Sequence, residues 1–142
     1  MRGTLVLFVL LLQSALAVAS VCNASSPEEF APFFSKFSGN KHFAVSRTLF
    51  PLRALKWEYG IDSHSKDESA PRRYHISKAQ YESTPSLSSS MNEHGLTSRE
   101  KSIGKCTAIV EVFREGTDWV TSHHFKRIGH CWFLYEYQDH SL

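Results

Sequence analysis

The chain has 142 residues, 16 Lys plus Arg against 14 Asp plus Glu, 42% hydrophobic and 13% aromatic side chains, seven Gly and five Pro. These proportions describe one globular domain and exclude repeat arrays, collagen and coiled coil. A formal charge of +2 spread over both signs leaves no continuous basic stripe, so neither nucleic acid nor an anionic membrane surface is an expected partner.

Met1 and Arg2 give the chain a positive start, and residues 5–12 are an unbroken apolar run. Ala15-Leu16-Ala17 or Ala17-Val18-Ala19 then places small residues at the two positions that define signal cleavage. Residues 1–19 therefore read as a signal peptide, and residues 20–142 as a single mature domain that is secreted or periplasmic. A membrane-spanning helix needs roughly 20 apolar residues, and Gln13 and Ser14 end this run well short of that. Lipid anchoring through Cys22 is the alternative, against which Ala19-Ser20-Val21 lacks the usual leucine three places before the cysteine. In an oxidising compartment two of Cys22, Cys106 and Cys131 are expected to pair.

Ser26-Pro27-Glu28-Glu29 carries the marks of a helix start, with a serine N-cap, proline at the first helical position and glutamate closing a capping box. Phe30, Phe33, Phe34 and Phe37 follow at i, i+3, i+4 and i+7, which puts four rings on one stripe of an amphipathic helix ending near Ser38-Gly39-Asn40. Pro32 within it predicts a kink or an irregular beginning. Residues 41–47 fit a further helical turn. Thr48-Leu49-Phe50-Pro51-Leu52 is apolar and β-prone, and its proline assigns it to a sheet edge. Alternation of Leu55, Trp57 and Tyr59 with Lys56 and Glu58 extends the strand. Residues 63–104 turn polar, with seven serines between Ser83 and Ser102, and read as a mostly looped, solvated connection with a short helix at residues 78–82.

Residues 105–115, 117–128 and 130–138 are β-rich runs separated by Gly116 and Gly129, the pattern of an antiparallel meander. With Gly116-Thr117 as one tight loop, Val110 faces His123 and Cys106 faces Arg127. With Ile128-Gly129 as the other, Lys126 faces Cys131 and His123 faces Leu134. Cys106 and Cys131 then flank the middle strand about 9.5 Å apart, at roughly 4.8 Å per strand, too far for a disulfide. Cys22 with Cys106 or Cys131 is the expected bridge. One face carries Ala108, Val110, Val112, Trp119, Phe125, Trp132 and Leu134, interrupted by His123 and Glu136. The other carries Ile109, Phe113, Val120, Phe133, Tyr135 and Tyr137 among Glu111, His124 and Lys126, more aromatic than a solvated face requires.

A phenylalanine-rich N-terminal helix, a short second helix leading to an arginine and a Phe-Pro-Leu strand, and a closing meander resemble the nuclear transport factor 2-like superfamily, and within it a family of small secreted bacterial domains of unknown function. The carrying residues are Phe30, Phe33, Phe37, Phe43, Arg47, Phe50-Pro51-Leu52, Trp132, Leu134 and Asp139-His140-Ser141-Leu142. The resemblance implies an α+β cone, in which a curved antiparallel sheet packs on N-terminal helices, with a pocket at the open end and an outer face that often mediates dimers. It implies no fixed activity, because that superfamily holds isomerases, dehydratases, scaffolds and immunity proteins.

Two site hypotheses follow. His123 and Glu136, aimed into the cone, would form a proton-transferring pair for an isomerase or dehydratase, with Tyr59, Tyr74 or Tyr81 steadying the developing oxyanion. The outer aromatics Phe113, Phe133, Tyr135 and Tyr137 would instead bind a protein partner, as an immunity or inhibitor protein does, or a second copy of the chain. The binding class is the expected one, since no Gly-rich phosphate loop, nucleophile elbow or zinc motif is present. No metal or cofactor is expected: His123 and His124 point to opposite faces of one strand and cannot share an ion.

Overall fold

The computed structural model describes residues 24–57 and 71–141. Its elements run α1 (Phe30–Gly39), α2 (Lys41–Ser46), β1 (Thr48–Lys56), β2 (Arg72–Ile76), α3 (Lys78–Glu82), α4 (Leu87–His94), β3 (Thr97–Ile103), β4 (Thr107–Phe113), β5 (Val120–Ile128) and β6 (Cys131–Asp139). The strands form one sheet in the order β2-β1-β6-β5-β4-β3. Every neighbouring pair is antiparallel except β1 with β6, so the sheet is mixed. The architecture is the expected α+β one, with N-terminal helices against a curved sheet. The proposed signal at residues 1–19 and Tyr59 lie outside the described residues.

The phenylalanine stripe forms as expected. Phe30, Phe33 and Phe37 are buried, and Phe34 packs beside them. All four surround the Phe125 ring of β5, at centroid distances of 5.4, 5.6, 5.9 and 5.1 Å, mostly edge to face. Phe30 also meets Trp132 edge-on at 5.1 Å. Such pairs each add about 0.5–1.5 kcal/mol beyond the area they bury.

The helix starts later than the capping motif suggests. Glu29 is its N-cap and makes no side-chain cap, so the Ser26–Glu29 capping box does not form, and Glu28 is engaged elsewhere. The Glu28 carboxylate accepts from the Trp132 backbone N–H at 3.1 Å and from the Arg47 guanidinium at 3.1 Å, while the Glu28 carbonyl accepts from the Trp132 indole at 2.9 Å. Pro32 falls in the first helical turn, where backbone N–H groups have no intrahelical acceptor, so the expected kink has no cause. α2 is capped by Asn40, whose side chain accepts from Phe43 N at 2.9 Å.

β1 is not the edge strand that Pro51 suggested; it lies between β2 and β6. The β1–β6 register breaks between Thr48 and Arg53, and Pro51 sits inside that break. Its missing N–H therefore interrupts no ladder bond. The Phe50–Pro51 peptide is cis.

The serine-rich stretch is largely ordered where described, another departure from expectation. Only α3 was legible. The serines act as caps: Ser77 closes a capping box with Gln80, and Ser86 accepts from Ser89 N ahead of α4. These elements bury almost nothing, since β2 and β3 are nearly all exposed and neither α3 nor α4 holds a buried residue. They therefore leave no hydrophobic period to read.

The β4–β5 register is the expected one, with Val110 opposite His123. The β5–β6 hairpin differs. Its loop is Gly129-His130, with Gly129 at φ 61°, so Ile128 pairs with Cys131 and the register moves by two residues. A second change follows along β6: His124 pairs with Glu136 but Phe125 with Leu134, leaving Tyr135 as an extra, bulged residue. Cys106 is exposed and its thiol is free, so Cys106 and Cys131 do not bond to each other.

Replacing Phe125 by Ala should lower unfolding free energy by about 3–5 kcal/mol, because one ring fills the space between four others. Urea denaturation followed by tryptophan fluorescence checks this: the midpoint falls while the slope is unchanged.

Candidate functional site

α1 covers the sheet only as far as Phe125. Beyond that ring α1 leaves the concave face uncovered, and a cavity of about 320 Å³ opens there. Its floor is Val112 of β4, Thr121 and His123 of β5, Tyr137 of β6 and Leu52 of β1. Phe37 closes one end, Tyr81 of α3 and Leu87 and Ser90 of α4 form the opposite wall, and Lys41, Thr84 and Trp119 also line it. The size is near the lower end for small-molecule pockets, and the lining is mainly apolar with a few polar groups.

His123 is the most constrained of those groups. It is only 9% exposed, and among the described residues its buried Nδ1 has no hydrogen-bond partner. Its ring stands edge-on to Tyr137 at 5.3 Å. Burial, helped by the field of His124, pulls its pKa down to about 4. Burial also holds Tyr137 above the ordinary phenol range, reinforced by Asp139 and Tyr74 and opposed by a hydrogen bond with Thr121. Tyr81 is raised likewise, by burial against an opposing hydrogen bond with Thr48. At neutral pH the cavity thus offers an uncharged imidazole and two uncharged phenols. These can hydrogen-bond a ligand, but an imidazole titrating near 4 is a weak proton acceptor at neutral pH.

The expected His123–Glu136 pair does not form. The Ile128–Cys131 register taken alone would set the two opposite each other, but the Tyr135 bulge intervenes and His123 faces Tyr137 instead. Past the bulge the side-chain alternation of β6 inverts, sending Tyr137 into the cavity and Glu136 to the convex face. There Glu136 is 7% exposed, paired with Arg53 at 3.1 Å and accepting from Gln138 Nε2 at 2.6 Å. Glu111 is held on the same face by Arg99 and Lys101 at 2.7 and 2.6 Å; the Lys101 hydrogen bond above all keeps its carboxyl below the usual range. Between them Ser122 Oγ lies within hydrogen-bond distance of both His124 Nε2 (3.0 Å) and His140 Nε2 (3.2 Å). The convex face is thus a polar belt.

The four expected interface aromatics separate. Phe113 and Tyr135 are half-buried, with Arg99 over the first ring and Lys126 over the second. Phe133 is 4% exposed, with the Arg47 guanidinium 5.5 Å from its ring centre. Tyr137 is inside the cone. Of the tyrosines considered as oxyanion partners, Tyr81 lines the cavity and Tyr74 is 37% exposed on the edge strand β2. Among the described residues no group of three or more His, Cys, Asp or Glu side chains converges as a metal site requires. Reading by strand parity missed Tyr137; Thr121 shares the inward parity of Trp119 and His123 but carried no functional signal, and no local pattern pointed to Lys41, whose place at the cavity depends on how α2 meets α3.

No protein-family model and no curated protein matches the chain. Solved structures do share its fold. A nuclear transport factor 2-like protein from Bacteroides fragilis superposes with a TM-score of 0.59 at 17% identity, over 84% of this chain and 50% of that one. A cystatin-like protein from Bacteroides caccae does so with a TM-score of 0.51 at 20% identity, over 81% and 78%. The chain thus spans about half the length of the first. The fold is that of the nuclear transport factor 2-like superfamily, as the sequence resemblance implied.

His123 makes stability depend on pH. Unfolded, it gains a proton near pH 6.5; folded, only near 4. Its neutral form thus stabilises the fold fully above pH 6.5, and that contribution is lost as pH falls from 6.5 towards 4. His123→Leu should remove about 2 kcal/mol of the wild-type loss between pH 7 and pH 5. Urea titrations at the two pH values measure it; the lowered pKa values of His124 and His140 slope the same way and persist in the variant.

Proposed function

We propose that this protein is an exported, non-catalytic binding domain whose cone takes up a small, mostly apolar molecule. The observation that carries the reading is the open cavity itself, roofed by α3 and α4 and lined by neutral His123, Tyr81 and Tyr137. An orphaned imidazole nitrogen on a mainly apolar floor costs free energy that a hydrogen-bonding ligand would recover. The separation of His123 from Glu136 speaks against isomerase or dehydratase chemistry by that pair. Docking of a protein partner, including toxin neutralisation, or of a second copy is the other reading. It rests on Phe113 and Tyr135, the two outer aromatics that keep partial exposure.

Octanamide is a suitable neutral probe, with ten non-hydrogen atoms for a cavity whose volume equals roughly ten waters of liquid. Calorimetry should show binding to the wild type, loss of binding in Ser90→Trp, which places an indole at the half-buried α4 wall, and no change in Tyr135→Ala on the convex face. Binding that survives Ser90→Trp would place the ligand outside the cavity.

Export also makes Cys131 the proposed partner of Cys22. Cys106 is exposed and free, whereas Cys131 is fully buried. Ala24, two residues after Cys22, accepts a hydrogen bond at 3.0 Å from His130, the neighbour of Cys131. Two residues reach at most about 7.2 Å, within range of that pairing. Peptide mapping of the non-reduced protein should find Cys22 joined to Cys131, with Cys106 alone alkylated.

A further inference from the structure

Lys41 is the one Lys or Arg side chain among the described residues that lines the cavity. Arg47, Arg53, Lys78, Arg99 and Lys101 each have a carboxylate partner within 4.0 Å. Lys41 has none among the described residues, although it is half-buried and lines the cavity. Its ammonium donates to Thr84 Oγ1 at 2.8 Å and lies 3.8 Å from the centre of the Tyr81 ring. The acid whose field reaches it is Glu82, and that carboxylate lies beside Lys78 at 3.7 Å. Desolvation pulls the Lys41 pKa below the ordinary lysine value, Glu82 opposing it. A half-buried cation with no carboxylate against it gains from an opposite charge brought close.

The rest of the lining is mainly apolar, with Phe37, Leu52 and Leu134 around the interior and His123 on the floor. A wholly apolar ligand would leave Lys41 without a counter-ion, and a small inorganic anion would leave the apolar volume empty. We infer, building on the cavity-binding reading above, that the natural ligand is an amphipathic organic monoanion, its acidic head against Lys41 and its apolar body inside the cone. A volume of about 320 Å³ suits a ligand on the order of ten to fifteen non-hydrogen atoms, such as a medium-chain or arylalkyl carboxylate.

The test compares octanoate with octanamide, which have the same number of non-hydrogen atoms and differ in charge, by calorimetry at pH 7. The wild type should bind octanoate about tenfold more tightly, the order expected of one charge-assisted contact. Lys41→Met should bring the two affinities together by weakening octanoate alone, and Lys41→Arg should keep the preference. Thermal unfolding of each variant confirms that it is folded. If octanamide binds and octanoate binds no better, or if the preference survives Lys41→Met, the anion inference fails while the cavity reading stands. If neither probe binds the folded wild type, both fall.

Discussion

The contact on which this structure turns is Phe125 held among the four phenylalanines of α1. It fixes the helix across β5 and β6 and, through Phe30, onto Trp132. Apolar contact is non-directional, but edge-to-face rings on a helical period leave little freedom in how the helix crosses the sheet. The seam also stops at Phe125. A ten-residue helix is about 15 Å long and cannot cover a six-stranded sheet, so the concave surface beyond it needs other cover. α3 and α4 supply a roof without filling the space beneath, and the cavity is what remains.

The second constraint is applied at the same point. The bulge at Tyr135 lies between the His124–Glu136 and Phe125–Leu134 pairs, just where the aromatic seam ends. On the seam side, β6 turns Trp132 and Leu134 inward; on the cavity side it turns Tyr137 inward and Glu136 outward. One extra residue thus divides the sheet into a packed half and a binding half. It also places the carboxylate among Arg53 and Gln138 on the convex face rather than in an apolar pocket, where an unpaired charge would be costly.

Export of charge to the convex face shapes what each surface can do. Glu111 and Glu136, both mostly buried, are satisfied within the chain by arginine, lysine and glutamine. The cone interior is left with His123, Tyr81 and Tyr137, each kept uncharged by burial, and Lys41 at its wall. The Glu28 carboxylate has a different task. By holding Arg47 and the Trp132 backbone together, it ties the segment before α1, the α2–β1 junction and the start of β6 at one place.

Local pattern determined a good deal of this protein. The i, i+3, i+4, i+7 rings from Phe30 to Phe37 define α1 and its buried stripe, and Gly116 and Gly129 mark the hairpin turns. The resemblance carried by Phe50-Pro51-Leu52, Trp132 and Leu134 pointed to the right fold. The polar connection hid β2, β3 and α4, because elements that bury almost nothing are specified by caps and neighbours rather than by a hydrophobic period. Pro51 misled about β1, since a proline inside a register break is compatible with an interior strand. Which residues meet in the cavity was decided by tertiary structure alone. Side-chain facing alternates with a period of two, so a single bulge at Tyr135 exchanges Glu136 for Tyr137. Lys41 and His123, 82 positions apart along the chain, line one space only because two helices roof what a third leaves bare.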